Sequence, residues 1–599
     1  MPVVMRSLRL VFAFVWLSGC ATSAPLPVSA PAQPAPVARA AQAPARGVPA
    51  ASDQPGVAVG ANGAVASAES HASEAGIAVL KAGGNAVDAA IAVAFALAVT
   101  HPSAGNIGGG GFMVVQLADG QRTAIDYREV APLAATRDMY LDASGNPTKA
   151  SVIGPLAAGV PGTVAGLELA HARFGSRPWA ELVAPAVALA RDGHAIDASH
   201  AESMQAAVKQ MQELGFADSA RVYLAADGQP IPAGGIWKQP ELAATLQRIG
   251  QHGATAFYSG PLSQEIVQRM QQVGGIWTQR DLADYKALER EPLRFEYLGH
   301  EVITMPPPSG GGIVMRQILY ASELFDIRKY PARSPEAFHI YLEATRRAYA
   351  DRNEWLGDPA FVDIPVAGLL DPNYIKTRMS GIDPAHATPS SQIRAGTPEQ
   401  VAYETTHFSV VDRAGNAVSN TYTLNTGFGS KVVLPGLGIL LNNEMDDFAA
   451  APGKPNAYGL VQGERNAIAP KKRMLSSMSP TVLRKNGELR AVLGTPGGPT
   501  ITTTVVQLVR ALVDYGIPLD QAVRAPRVHH QWLPDQVFVE PDAEPELVEG
   551  LRAKGHKIET VTFTGGKIGH ADCIEVDPAT RGFRAVADVT RGGGSAQAY

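Results

Sequence analysis

Cysteine is almost absent from this 599-residue chain: Cys20 and Cys573 are the whole complement. With Cys20 in a leader segment, neither a disulfide framework nor a cysteine-based zinc site can be built. A dominant charge is missing too. Lys and Arg number 51 against 56 Asp and Glu, a net charge of -5, so there is no basic footprint for nucleic acid. No apolar run reaches the roughly 18 residues of a membrane span. The sequence has no H-E-x-x-H and no G-x-S-x-G, which removes the simplest zinc-protease and serine-hydrolase readings. The glycines at 105–111 fit neither G-x-G-x-x-G nor a Walker A loop, which disfavours a phosphate cradle. What remains is ordinary globular composition, 46% hydrophobic and 18% charged, able to bury a large core. Length alone suggests about four domain-sized units. The 60 glycines and 45 prolines point to many turns.

Residues 1–20 carry Arg6 and Arg9, then the apolar run Leu10 to Leu17, and end Leu17-Ser18-Gly19-Cys20. A basic start, a short apolar core and small residues describe a secretory signal peptide. The last four positions resemble the lipobox of bacterial lipoproteins, which makes Cys20 the expected lipidation site. Ala21 rather than Asp follows it, which points toward the outer membrane. Residues 21–54 are Ala-, Pro- and Ser-rich without periodicity and read as an extended tether. The expected location is the periplasm of a bacterium, or its outer membrane through the lipid anchor alone.

From about Gly56 the pattern is that of a folded body. Ala86 to Val99 is almost continuously apolar, the mark of a buried core helix. It runs into Gly105-Asn106-Ile107-Gly108-Gly109-Gly110-Gly111, where close helix–sheet packing is expected, and then the strand Val114 to Leu117. Arg128 follows a strand-like run; its spacing does not separate an ion pair from a fork for a substrate carboxylate. Helical spacing recurs at Trp179 to Arg191, Gln239 to Ile249, Leu262 to Val273, Ile313 to Leu324 and Ala337 to Asn353, the last with a basic face. Residues 357–404 read mostly as exposed loop, suited to chain cleavage.

Glu404 to Asp412 reads as a strand ended by the turn cluster Arg413-Ala414-Gly415-Asn416, with Ala417 to Asn425 as its partner. If those four residues form the loop, Asp412 pairs with Ala417. Thr405 then falls opposite Leu424, between Thr423 and Asn425. Alone, a cross-strand threonine pair is ordinary packing. Downstream, Asn442 to Phe448 holds Glu444, Asp446 and Asp447 without EF-hand spacing: either a solvated acidic turn or an acidic pocket for an ammonium group. Residues 451–472, around Tyr458, form a patternless loop long enough for a lid. Ser476 and Ser477 follow. Gly497 and Gly498 precede the helix Thr503 to Tyr515, where their N–H groups suit an oxyanion hole or a tight turn equally. His529 and His530 point to opposite faces of one strand and read as structural.

In order along the chain, these segments resemble the γ-glutamyltranspeptidases, members of the N-terminal-nucleophile hydrolases. The stretches that carry the resemblance are GGNAVDAAIAVAFALAV, GNIGGGGFM, DYREVAP, PPPSGGG, TTHFSVVD, TYTLNT, LNNEMDDF, LSSMSP, GTPGG and HHQWLPD. The resemblance implies an α+β fold, a four-layer αββα sandwich. It implies a precursor that cuts itself between Glu404 and Thr405 into a large subunit, 55–404, and a small one, 405–599, which stay together. Thr405 would be the nucleophile and its freed amine the general base; an α-amine with pKa near ~7.7–8.0 keeps a usable neutral fraction. By the same match, Thr423 orients that amine, and Gly497 and Gly498 form the oxyanion hole. Asn425, Glu444 and Asp447 hold the donor's α-amino group, Arg128, Ser476 and Ser477 take its α-carboxylate, and Tyr458 belongs to the lid. The implied donors are glutathione and related γ-glutamyl amides, and the acceptors are water, amino acids or dipeptides. No cofactor and no metal is expected. A γ-glutamyl group ends in a zwitterion, and burying both charges demands an opposite charge for each.

Some positions depart from the family pattern. Glu444 stands where some members have Gln, Met474 where Pro is frequent, and Pro499 where a small polar residue is usual. Asp588-Val589-Thr590-Arg591 is spaced unlike the usual Asp-Pro-Arg. These leave acceptor preference open. Two other readings stand beside the leading one. A related acylase would cut glutaryl-type amides such as cephalosporin side chains; these lack the ammonium and would leave Glu444 and Asp447 unpaired. A non-catalytic glutamyl-binding lipoprotein is the other.

Overall fold

The computed structural model describes residues 46–398, 407–562, 566–591 and 593–599. The layers arise from side-chain alternation along the central hairpin. In the strand Phe408–Asp412, Phe408 and Val410 join a core shared with helices, while Val411 joins a core between two sheets. Its partner Ala417–Thr423 repeats the pattern: Val418 and Tyr422 face helices and Ala417 faces the second sheet. Strands buried on both faces need a covering layer on each side.

Two seven-stranded antiparallel sheets result. One runs Ser595–Ala598, Gly63–Ser67, Phe408–Asp412, Ala417–Thr423, Gly110–Gln116, Arg122–Tyr127, Leu288–Arg290. The other runs Val57–Gly60, Phe583–Ala587, Asp572–Val576, Glu488–Leu493, Thr481–Lys485, His300–Thr304, Leu293–Tyr297. Helices Ser70–Lys81, Ala86–Thr100, Thr163–Phe174, Trp179–Asp192 and Pro240–His252 cover the first sheet. Gly311–Leu324, Pro335–Trp355 and Thr500–Asp514 cover the second. This is the expected αββα sandwich. Among the described residues no helix is long and apolar enough to cross a membrane.

Every residue of Ala86–Thr100 is buried, and Asn85 and Asp88 cap it reciprocally. Its first N–H, on Ala86, donates to Asp412 Oδ2 at 3.0 Å, tying the helix to the hairpin turn. The glycines that follow allow the close packing expected of them. A Cβ on Gly105 would lie 2.1 Å from Leu97 O, and one on Gly109 2.0 Å from Thr423 O. Gly109→Ala is therefore expected to cost at least about 1–3 kcal/mol through overpacking, read as a lower Tm; an unchanged Tm would contradict this packing.

The hairpin register is displaced by one residue from the expected one. Val411, not Asp412, pairs with Ala417, and Phe408 pairs with Asn420. Asp412 instead closes the turn: its Oδ1 accepts from the N–H groups of Gly415 and Asn416, each at 3.0 Å. An aspartate that bonds its own turn leaves the ladder early. Paired residues share a face, so His407 and Ser409 lie with Ser419, Thr421 and Thr423. His407 Nε2 is 2.7 Å from Ser409 Oγ, and its Nδ1 is 3.3 Å from both Ser419 Oγ and Thr421 Oγ1. The expected register would have put Thr423 on the opposite face. Glu404 and Thr405 lie outside the described residues, as do Cys20, the expected signal peptide and most of the expected tether.

Three further expectations change. The last tether residues dock on the body: Gly47 N–H donates to Thr580 O at 2.8 Å and Arg46 to Arg581 O at 2.7 Å. Part of the stretch expected as loop forms the helices Val366–Leu370 and Pro372–Met379. Asp371 and Pro372, loop signals by composition, are the N-cap and first residue of the second helix, places both residue types favour. The basic face of Pro335–Trp355 points inward: Arg346, Arg347 and Arg352 are buried, the first two against Glu343. His529 and His530 are buried as structural residues, His529 Nδ1 lying 2.8 Å from Thr503 Oγ1 and His530 Nδ1 accepting from Trp532 N–H at 2.9 Å.

Candidate active site

The centre of the site is a single 3-10 turn, Glu444–Asp447. With three residues per turn, positions i and i+3 eclipse, so the carboxylates of Glu444 and Asp447 project together. Arg128 reaches both, Nη1 to Glu444 Oε1 and Nη2 to Asp447 Oδ2, each at 2.5 Å. The backbone of Arg128 is held at both ends: its N–H donates to Asp126 Oδ1 at 3.0 Å, and its carbonyl accepts from Tyr285 OH at 2.9 Å. The turn is a buried acidic pocket, with Glu444 1% and Asp447 7% exposed.

A third carboxylate, Glu129, lies 3.7 Å from Arg128 Nη1. It is fully buried, and among the described residues neither of its oxygens has a hydrogen-bond partner; Glu444 Oε2 has none either. Burial pushes the Glu129 carboxyl up to about 7, with Arg128 opposing. Burial also raises Glu444 and Asp447 against the pull of Arg128. Arg352, whose charge also acts on Asp447, is the second cation. It donates to Ser476 O and Ser477 Oγ, each at 3.1 Å. Among the described residues, Arg128 and Arg352 stand near three carboxylates, Glu129, Glu444 and Asp447, an arrangement that accommodates one more cation.

The remaining predicted residues connect to this centre. Thr423 Oγ1 accepts from Asn425 N–H at 2.8 Å. The Asn425 side chain donates to Asn443 O at 2.9 Å, one residue before Glu444. The loop around Tyr458 reaches the same point, Tyr458 OH donating to the Asn425 carbonyl at 2.6 Å. Beside it, Gly497 and Gly498 have φ of 135° and 56°. A Cβ on Gly498 would lie 2.9 Å from the Tyr458 ring. Among the described residues neither glycine N–H donates a hydrogen bond, as an oxyanion hole requires. Arg128, Thr423, Asn425, Glu444, Asp447, Tyr458, Ser476, Ser477, Gly497 and Gly498 thus form one connected site. Glu404, Thr405 and Cys20 are outside the described residues.

Sequence reasoning missed Glu129, Arg352 and Asn106. Glu129 stood beside Arg128 in DYREVAP, and Arg352 on the basic helix face. Asn106 fixes the end of the central strand: its Nδ2 donates to Thr423 O at 2.8 Å and its Oδ1 accepts from Gly109 N–H at 2.8 Å. Among the described residues no cluster of His, Cys, Asp or Glu could hold a metal ion.

A sequence profile of the gamma-glutamyltranspeptidase family matches residues 72–598. The chain is 47% identical over 536 residues to the glutathione hydrolase proenzyme of Escherichia coli (strain K12), covering 87% of this chain and 92% of that one. It is 46% identical over 498 residues to the glutathione hydrolase proenzyme of Pseudomonas sp. (strain A14), covering 83% and 86%. The solved structure of cephalosporin acylase from Bacillus halodurans is similar with a TM-score of 0.80, at 28% identity, over 92% of this chain and 99% of that one. The two stacked sheets between helical layers are those of the N-terminal-nucleophile hydrolases. Within that class, the chain belongs to the γ-glutamyltranspeptidase family.

Proposed function

We propose that this protein is an autoprocessing γ-glutamyltransferase and hydrolase that cleaves the γ-glutamyl amide bond of glutathione and related donors. The precursor cuts itself between Glu404 and Thr405, leaving subunits 55–404 and 405–599 associated. Thr405 Oγ1 then adds to the γ-glutamyl carbonyl while its α-amine takes the hydroxyl proton. The N–H groups of Gly497 and Gly498 receive the oxyanion. The C–N bond breaks, the departing amine takes the proton, and a γ-glutamyl ester remains on Thr405. Water, an amino acid or a dipeptide amine attacks the ester and restores the hydroxyl.

The observation that carries this reading is the charge set around Arg128. A γ-glutamyl zwitterion exchanges partners there: its ammonium takes Glu444 and Asp447, helped by Asn425, and its carboxylate takes Arg128 and the hydroxyls of Ser476 and Ser477. Each ligand charge then meets its opposite. A glutaryl amide brings no ammonium, so the three carboxylates gain no cation. This disfavours the acylase reading.

We read the leader as an export signal with Cys20 as a lipid anchor, which puts the enzyme in the periplasm or on the outer membrane; the support is the leader sequence alone.

Turnover of a γ-glutamyl anilide should exceed that of the glutaryl anilide in kcat/KM by on the order of 10³-fold or more, as for a site built around a missing polar group. The purified enzyme should yield a fragment whose N-terminus is Thr405. Equal rates on the two anilides would reject the ammonium pocket, and an intact active chain would reject the cut.

A further inference from the structure

The turn that recognises the donor has a second side. Glu444 and Asp447 eclipse toward Arg128, so Asp446 projects elsewhere. Its carboxylate is buried, 4% exposed. Asp446 Oδ2 accepts from the backbone N–H of Ala457 at 3.1 Å, and Oδ1 accepts from Ser151 Oγ at 3.1 Å. Among the described residues it makes no ion pair. Ala457 directly precedes Tyr458, the residue that closes on Asn425 and Gly498.

The lid tip is built around these contacts. Asn456 Oδ1 accepts from the N–H groups of Tyr458 and Leu460, each at 3.1 Å, and shapes a tight turn. Gln531 holds the Tyr458 carbonyl at 3.0 Å from the far side. A cavity of about 160 Å³, lined in part by Ser151, Asp446, Asn456 and Ala457, opens beside the Asp446 carboxylate. Burial, and then Asp447, push the carboxyl up to about 7. A buried acid without a cationic partner is costly to keep, and its two hydrogen bonds hold one lid residue and one residue of the body.

We propose that Asp446 is a positioning residue that latches the lid, so that one 3-10 turn both recognises the γ-glutamyl zwitterion and holds Tyr458 over it. The proposal rests on the γ-glutamyl reading above. Asp446 touches no reacting atom. It acts through Ala457, whose N–H it fixes, and thereby through the Tyr458 ring and hydroxyl. Any shift of the turn on donor binding moves the latch as well, because Asp446 and Asp447 are consecutive.

The test compares donor kinetics of the processed enzyme with protease access to the lid. Asp446→Ala is expected to raise the donor KM on the order of ten-fold, the worth of one hydrogen bond to a charged group, with a smaller change in kcat. Asp446→Asn keeps an acceptor for the Ala457 N–H and should recover most of that loss. In a Tyr458→Ala background the same substitution should change KM by less than about two-fold, because coupled residues are not additive. Chymotrypsin should cut after Tyr458 faster in Asp446→Ala than in the wild type, with the cut located by mass. If Asp446→Ala fails to mature, Ser151→Ala, which removes only the orienting hydroxyl, carries the same readouts with smaller shifts. An unchanged KM, or an equal loss in both backgrounds, would overturn the latch. A wild-type enzyme that turns over no γ-glutamyl donor would instead overturn the functional reading, and the chymotrypsin comparison would still decide the latch.

Discussion

Thr405→Ala will leave the chain uncut on a denaturing gel and lower γ-glutamyl turnover by at least about 10⁴-fold, the scale of losing a catalytic nucleophile. Both losses have one cause. In the proposed mechanism the same hydroxyl attacks the Glu404 carbonyl in maturation and the donor carbonyl in turnover, and only the cut frees the amine that serves as base. Thr405→Ser keeps a hydroxyl and should still cut and still turn over donor, more slowly. The surroundings agree with this assignment. Thr423 lies on the face that carries His407 and Ser409, and its hydroxyl is oriented by the Asn425 N–H. The N–H groups of Gly497 and Gly498 donate to no described residue. A Thr405→Ala chain that cuts normally, or one that keeps wild-type turnover, would end the nucleophile assignment.

The second large effect is at Arg128. Arg128→Gln should raise the donor KM by at least about 10²-fold and destabilise the folded chain by about 3–5 kcal/mol, the cost of breaking a buried ion pair. Among the described residues, the substitution leaves Glu129, Glu444 and Asp447 with Arg352 as a nearby cation. The deficit depends on pH with a definite sign. Burial already holds the Glu129 carboxyl near about 7, above its ordinary value. A group raised in the folded state adds stability that is complete below its unfolded pKa, about 4.3, and is lost as pH rises toward the folded value. Losing Arg128 pushes all three carboxyls further in that direction. The Tm deficit against the wild type should therefore be larger at about pH 8 than at about pH 5. A deficit independent of pH, or a donor KM equal to the wild type, would show that Arg128 does not neutralise this pocket.

Local patterns in the sequence carried the elements whose causes are local. The apolar run after Asn85 became the helix Ala86–Thr100, with its capping box in place. The helices at Trp179–Asp192 and Pro261–Gln272 lie within a residue or so of their expected bounds. The hairpin register failed because Asp412 could serve the ladder or its own turn, and spacing alone does not separate the two. Residues 372–379 were misread because Asp and Pro signal a loop or a helix start equally well. The inward turn of Arg352 went unseen since a basic helix face has the same sequence pattern whether it meets solvent or buried acids.

By itself, the sequence determined the family through its ordered short motifs, and through that resemblance the expectation of αββα layers and the groups proposed to handle a γ-glutamyl donor. Periodicity, capping and short motifs express contacts between near neighbours in the chain. Only the tertiary structure decided which charge meets which. Arg128 and Glu444 are 316 positions apart, and their contact depends on how two distant elements meet. The tertiary structure also brought Glu129, next to Arg128 in the chain, into one buried cluster with Glu444 and Asp447, which lie more than 300 positions away. It aimed Glu444 and Asp447 of one four-residue turn at Arg128 and Asp446 at the Ala457 N–H, because eclipsing at three residues per turn appears only once the 3-10 geometry is set.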